Sequence, residues 1–184
     1  MANSWTYYKA QSLVHRYKTR NPQELVDAMG IEIFPLIGSK HLLGMYSVIE
    51  RNRYIFLSED VGHQKKTILA HELGHDQLHR SVCKNCKPFQ ENKICNPTNR
   101  YELEANIFAC HLLISDEDVL RVLHSGQSDM EMAAELEVDV NLLNLKISEM
   151  AKLKKLDAAL LNVERPQSDF LKSYTPEPED WSGC

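Results

Sequence analysis

The sequence predicts an α+β fold that is mostly helical and contains a small antiparallel three-stranded sheet. Two observations predict it: helical periodicity before residue 30 and beyond residue 62, and three short strand-like segments between them. The chain has 184 residues, of which 43% are hydrophobic and 26% are charged. This composition is typical of a soluble globular domain with a hydrophobic core, alone or with a small appendage.

Charge and cysteine content exclude several classes of function. A net charge of -5 gives no electrostatic reason to expect binding to nucleic acid or to an acidic membrane. No apolar run approaches the length that spans a bilayer, and no signal peptide is visible at the N-terminus. The five cysteines are odd in number, which favours reduced thiols or a metal site over a disulfide framework. We therefore expect a cytoplasmic protein.

The first part of the chain predicts two helices within residues 5–29. The second helix begins at Asn21-Pro22, where asparagine caps the helix and proline occupies its first turn. Gly30 then ends it, since glycine readily adopts the left-handed conformation at a helix C-terminus.

Three strands follow, over residues 31–37, 43–49 and 53–57. The last two are separated by a short connection, which is typical of a β-hairpin. Pro35 lies within the first strand and therefore predicts an edge position or a strand end, because proline cannot donate a backbone hydrogen bond.

A helix over residues 62–80 carries the motif His71-Glu72-Leu73-Gly74-His75. Histidines four residues apart share one helix face, so both imidazoles can reach one metal ion. Glu72 lies beside that metal and can act as the general base for a metal-bound water. The alternative is an amphipathic surface helix with histidine and glutamate on its solvated face.

Glu102, in a helix over residues 101–114, is the best candidate for a third metal ligand, since a catalytic zinc takes three protein ligands and one water. Asn106 lies one turn further on and can hydrogen-bond a ligand. Glu104 lies about 200° around the helix from Glu102, so the two cannot face one metal ion. The alternative for Glu102 is a solvated side chain.

Two more histidines lie near this motif in the sequence or in the following helix. His79 lies about 12 Å along the helix from His71, so it cannot share a metal ion with it while the helix is continuous. We expect a structural or supporting role for His79. His111 is a candidate for stabilising an oxyanion.

A loop over residues 81–99 contains Cys83, Cys86 and Cys95. These cysteines are a possible second, structural metal site, with His79 as a fourth ligand. Free thiols in a surface loop are the favoured alternative, because structural zinc prefers two close pairs of cysteines.

Ser115 caps a further helix, and residues 128–150 suggest a helix-turn-helix. Acidic residues in this segment outnumber its single base, Lys146, whereas a helix that faces phosphates should be basic. We therefore expect packing or partner binding rather than DNA binding. The tail from Arg165 is poor in apolar residues and predicts a flexible segment.

Together these motifs resemble the ImmA/IrrE family of metallopeptidases. The resemblance covers residues 20–150, and it rests on the sequence from His71 to His79, on that from Glu102 to Leu113, and on the helix-turn-helix-like segment. The chain departs from the family in its cysteine-bearing loop and at Ile114-Ser115, where the family tends to have Met-Pro.

The resemblance implies a gluzincin-like fold with zinc bound by His71, His75 and Glu102, and with Glu72 as the base. It divides the chain into a zincin-like metallopeptidase domain (1–114), a helix-turn-helix-like segment (115–163) and a flexible tail (164–184).

The resemblance also implies a zinc endopeptidase that cleaves a helix-turn-helix repressor of a prophage, of another mobile element or of a stress regulon. The alternative is a non-catalytic anti-repressor that binds a repressor without cutting it. Ligand type favours zinc only modestly over manganese or iron.

Overall fold

The computed structural model describes residues 4–37, 42–83 and 99–156. Most of these residues are helical, and the α+β prediction is confirmed. The elements in chain order are α1 (Ser4–Tyr17), α2 (Pro22–Ala28), β1 (Glu32–Pro35), β2 (Gly44–Ile49), β3 (Asn52–Leu57), a 3-10 helix (Glu59–Gln64), α3 (Lys65–Leu78), α4 (Arg80–Cys83), α5 (Asn99–Leu113), α6 (Asp116–Leu123), α7 (Asp129–Glu135) and α8 (Val140–Lys152).

The cap predicted for the second helix is present. The side chain of Asn21 accepts a hydrogen bond from the backbone N–H of Gln23, and Pro22 is the first helical residue. Gly30 follows the helix with a φ of +63°, the left-handed conformation that glycine adopts at little cost.

The sheet is mixed, with strand order β1-β3-β2, so the prediction of an antiparallel three-stranded sheet is wrong for one pair. β2 and β3 form the predicted antiparallel hairpin, but β1 runs parallel to β3. Periodicity identifies a strand without giving its direction, and only the short hairpin connection dictates an antiparallel pair. The edge position that Pro35 predicts for β1 is confirmed.

The motif helix is shorter than the predicted 62–80. Gly62 has a φ of +48° within the 3-10 helix, and α3 therefore begins only at Lys65. At the other end His79 leaves helical geometry with a φ of -122° and caps α3. Residues 80–83, which include the start of the loop predicted over 81–99, form the short helix α4. Residues 84–98 lie outside the described part of the chain.

A glycine allows α3 and α5 to cross closely. A β-carbon at Gly74 would lie 3.0 Å from the Cα atom and 3.1 Å from the carbonyl oxygen of Ala105. Glu102 lies on α5 three residues before this contact, and His75 is the next residue of α3 after Gly74. The close crossing therefore sets how far the glutamate stands from the histidines.

The helices after Ser115 begin at good caps. The Ser115 side chain accepts from the backbone N–H of Asp118, and Ser128 forms a capping box with Glu131. α8 then buries its apolar face in the same core as α5. The fully buried residues of these two helices include Phe108, Leu112, Leu142, Leu143, Ile147 and Met150.

The helix-turn-helix identity of α6 to α8 and the boundaries of segments 1–114 and 115–163 stay predictions. Segment 164–184, predicted to be flexible, lies outside the described residues. Among the described helices none has both the length and the apolar character needed to cross a membrane.

Candidate metal centre and active site

Three side chains from α3 and α5 converge on one point. The Nε2 atoms of His71 and His75 lie 3.1 Å apart. Each is also close to the carboxylate of Glu102, at 3.1 Å from Oε2 for His71 and 3.2 Å from Oε1 for His75. Within the described residues, the ligand atoms of these three side chains are close enough together to hold one metal ion.

The dimensions of this triangle fit a small metal ion. Tetrahedral ligands about 2.0–2.1 Å from zinc stand roughly 3.3 Å from one another. The observed separations of 3.1–3.2 Å are close to this value. Two imidazole lone pairs and a carboxylate this close would repel one another unless a cation or a proton lay between them, so the donor set suits a metal ion.

Asn106 orients the first histidine. Its side-chain oxygen lies 2.7 Å from Nδ1 of His71, so Nδ1–H donates and the Nε2 lone pair is left for the centre. Asn106 is buried one turn beyond Glu102 on α5. The structure thus places Asn106 against His71, and its supporting role at a metal centre stays a prediction.

Glu72 lies buried beside the triangle, with 5% of its surface exposed. Burial raises the pKa of its carboxyl group above the usual range, while His71 and His75 act to lower it. The backbone N–H of Tyr46 in β2 donates a hydrogen bond to this carboxylate. A carboxylate with a raised pKa, held next to a metal position, suits a general base that works near neutral pH.

Tyr46 also ties β2 to the next turn of α3. Its hydroxyl donates to Oδ1 of the fully buried Asp76 at 2.7 Å, and Arg80 donates to both oxygens of the same carboxylate. Strand β2 is therefore fixed to α3 both at Glu72 and at Asp76. β2 is also an outer strand of the sheet.

His79 of the α3 C-terminus and Glu104 of α5 face each other. Nε2 of His79 lies 3.0 Å from Oε2 of Glu104, and Nδ1 of His79 lies 3.1 Å from Nδ1 of His75. Burial lowers the pKa of His79, whereas Glu104 acts to raise it. Glu104 thus faces away from the triangle, in agreement with its predicted angular offset from Glu102.

His111 lies away from the centre, and this placement argues against the oxyanion role predicted for it. It is nine residues beyond Glu102 on the same helix, about 13 Å along the axis. Its ring is fully buried, and Nδ1 accepts a hydrogen bond from Nζ of Lys146 at 3.1 Å. Lys146 is itself fully buried and pairs with Asp116 at 2.6 Å, so this base is not exposed to bind phosphates.

The second metal site predicted on the cysteines falls mainly outside the described residues, which include neither Cys86 nor Cys95. Cys83 lies in α4, where burial raises the pKa of its thiol to about 11.

Sequence reasoning missed the contacts that surround the centre. The spacing of apolar and polar residues in the sequence does not predict that Gly44 and Tyr46 of β2 lie against Glu72. The contact between His79 and Glu104 could have been predicted from spacing. His79 follows His75 by one helical turn, and Glu104 follows Glu102 on the partner helix.

The region that carries this geometry is similar to a known protein family. The model of a peptidase family, described as the IrrE N-terminal-like domain, matches residues 26–148, which include all of α3 and α5.

Two curated proteins are similar over most of their length. "Uncharacterized immunity region protein 2" of Bacillus phage phi105 is 33% identical over 155 residues, which cover 83% of this chain and 91% of that protein. "Metallopeptidase ImmA" of Bacillus subtilis (strain 168) is 27% identical over 150 residues, which cover 78% and 84%. No solved structure gives a significant match.

Proposed function

The chain belongs to the IrrE N-terminal-like family of peptidases, and we propose that it is a zinc-dependent endopeptidase that cleaves a helix-turn-helix transcriptional repressor. The observation that carries the proposal is the triangle of His71, His75 and Glu102 beside the buried carboxylate of Glu72.

His71, His75 and Glu102 would hold the zinc ion. When bound there, zinc supplies Lewis-acid chemistry, because it lowers the pKa of a coordinated water toward neutrality and polarises a carbonyl group. Glu72 accepts the proton of the attacking water and delivers it to the leaving amine. Asn106 keeps the ring of His71 in the orientation that ligation requires.

Strand β2 is the edge at which we place the substrate. An extended peptide can add to a free sheet edge through backbone hydrogen bonds. In the described part of the chain β2 pairs only with β3, and its residues Gly44 and Tyr46 lie against Glu72. A peptide paired with β2 would bring its scissile bond to the base.

Two observations support a repressor as the substrate. The sequence resembles a family whose members act on helix-turn-helix repressors, and a relative at 33% identity is named as an immunity region protein of a phage. Segment 115–163 would then serve packing or partner binding rather than contact with DNA, since Lys146, the single base of its helix-turn-helix-like stretch 128–150, is buried.

The test incubates the zinc-loaded protein with the helix-turn-helix repressor encoded nearest to its gene and measures product size. We expect fragments with wild type, and full-length repressor with Glu72→Gln although that variant keeps its zinc. If wild type binds the repressor but leaves it full length, the protein is instead a non-catalytic anti-repressor. Cutting by Glu72→Gln at the wild-type rate would remove Glu72 from the mechanism.

A further inference from the structure

His79 lies between a proposed metal ligand and a carboxylate. Its Nδ1 atom is 3.1 Å from Nδ1 of His75, and its Nε2 atom is 3.0 Å from Oε2 of Glu104. The ring is 3% exposed and packs against Tyr101 with a centroid distance of 4.9 Å. His79 is therefore held in one orientation with both nitrogens engaged.

The chemistry of Glu104 fixes the direction of these hydrogen bonds. A carboxylate can only accept, so Nε2 of His79 carries the proton that it donates to Glu104. In a neutral imidazole the other nitrogen is then an acceptor. Nδ1 of His75 must therefore donate to Nδ1 of His79, which leaves the Nε2 lone pair of His75 facing His71 and Glu102.

We propose that Glu104 is a positioning residue that acts through His79 to hold His75 in the tautomer whose Nε2 lone pair faces the metal position. The inference rests on the metal centre of the proposed function. It complements the role of Asn106, which fixes the tautomer of His71 directly. Each proposed histidine ligand thus has its own tautomer-fixing partner on α5.

Arg100 makes the proposal sharply testable. Its Nε atom donates to Oε1 of Glu104 at 2.9 Å, and a guanidinium group cannot accept. In Glu104→Gln the amide oxygen would therefore face Arg100 and the amide nitrogen would face His79. That arrangement reverses the hydrogen bonds, so His75 would carry its proton on Nε2 and lose the lone pair that binds metal.

The experiment measures zinc affinity by competition with a chromophoric chelator in full-length protein. We expect zinc binding by Glu104→Gln to be roughly 10- to 100-fold weaker than that of wild type. Adding Arg100→Ala to Glu104→Gln should restore affinity, because the amide is then free to turn its oxygen towards His79. Arg100→Ala alone and Glu117→Gln, a change at an exposed glutamate of α6, should bind zinc as wild type does.

A second readout follows the proton itself. In zinc-loaded protein labelled with ¹⁵N-histidine, long-range ¹H–¹⁵N spectra should place the proton of His79 on Nε2. A proton on Nδ1, or equal zinc affinity in Glu104→Gln and Glu117→Gln, would overturn the proposal for Glu104 alone. Absence of zinc binding by wild type and Glu117→Gln would instead overturn the metal centre, and this proposal with it.

Discussion

Gly44 of β2 lies directly against Glu72 of α3. A β-carbon at Gly44 would stand 2.8 Å from Oε1 of Glu72 and 2.5 Å from Cγ2 of Ile68. Both distances are shorter than β-carbons ordinarily show, so any larger residue at this position would force Ile68, Glu72 or the strand to shift. The residue makes room for the proposed base beside the strand that we propose to hold the substrate.

We predict that Gly44→Ala impairs catalysis while sparing metal binding. The new methyl group must displace Glu72 or the strand, and a displacement of about 1 Å at a reacting group can lower kcat roughly 100-fold. Zinc content should stay at the wild-type level, because the atoms nearest to the new methyl group belong to Ile68 and Glu72 and not to the proposed ligands. Repressor cleavage and zinc analysis on the same preparation check this, and full activity in Gly44→Ala would contradict it.

Gly74→Ala should act on the metal centre instead. Its β-carbon would meet the backbone of Ala105, which cannot move without shifting α5 and with it Glu102. We expect weaker zinc binding and a loss of stability of about 1 kcal/mol, since overpacking outweighs the gain in helix propensity. Chelator competition and thermal unfolding measure the two effects, and unchanged zinc affinity would show that the close crossing does not set the position of Glu102.

His111 predicts a pH dependence of stability. Burial lowers its pKa to about 3, with Lys146 adding to the effect and Asp116 opposing it. The unfolded chain, with an ordinary histidine pKa of about 6.5, therefore binds more protons than the folded chain between these values. The contribution of this residue to the free energy of unfolding is therefore fully present above about pH 6.5. It falls as the pH drops towards 3, by up to about 1.4 kcal/mol per pH unit.

Replacing this residue should flatten the profile. Glutamine in His111→Gln can still accept from Lys146 but does not titrate, so the free energy of unfolding should depend less steeply on pH between 6 and 4. His15→Gln, at an exposed histidine of α1, should keep the wild-type slope. Denaturant titrations at several pH values give the slopes, and equal slopes for wild type and His111→Gln would refute the assignment.

The hairpin between β2 and β3 offers a stabilising change. Its two turn residues, Glu50 and Arg51, have φ values of +49° and +72°, as a type I′ turn requires. Arg51→Gly should raise the free energy of unfolding by about 0.5–1 kcal/mol, because glycine adopts this conformation without strain. Asn52→Gly, in the adjoining strand β3, should instead lower the free energy of unfolding. If Arg51→Gly is less stable than wild type, the assigned turn geometry is wrong.

Much of the candidate site could be predicted from local spacing. The four-residue interval between His71 and His75 places two imidazoles on one face of any helix, and the interval between Glu102 and Asn106 does the same on α5. These relations depend only on helical geometry, so they hold before the tertiary structure is known.

Features that depend on tertiary approach could not be predicted. The parallel direction of β1 depends on the path of the chain from β1 to β2, and the contact of Gly44 with Glu72 depends on how the sheet lies on α3. His111 and Lys146, 35 residues apart, meet only when α8 packs on α5. A buried lysine in a helix whose buried residues are mostly apolar has no distinctive local pattern.

Metal content tests the proposed centre most directly. Elemental analysis should be run on wild type, Glu72→Gln and Glu102→Ala, each purified without added metal. We predict one zinc ion per chain in wild type and in Glu72→Gln, and its loss in Glu102→Ala, because two histidines alone bind zinc weakly. No metal in folded wild type, or a full complement retained by Glu102→Ala, would contradict the assignment of His71, His75 and Glu102 as the metal ligands.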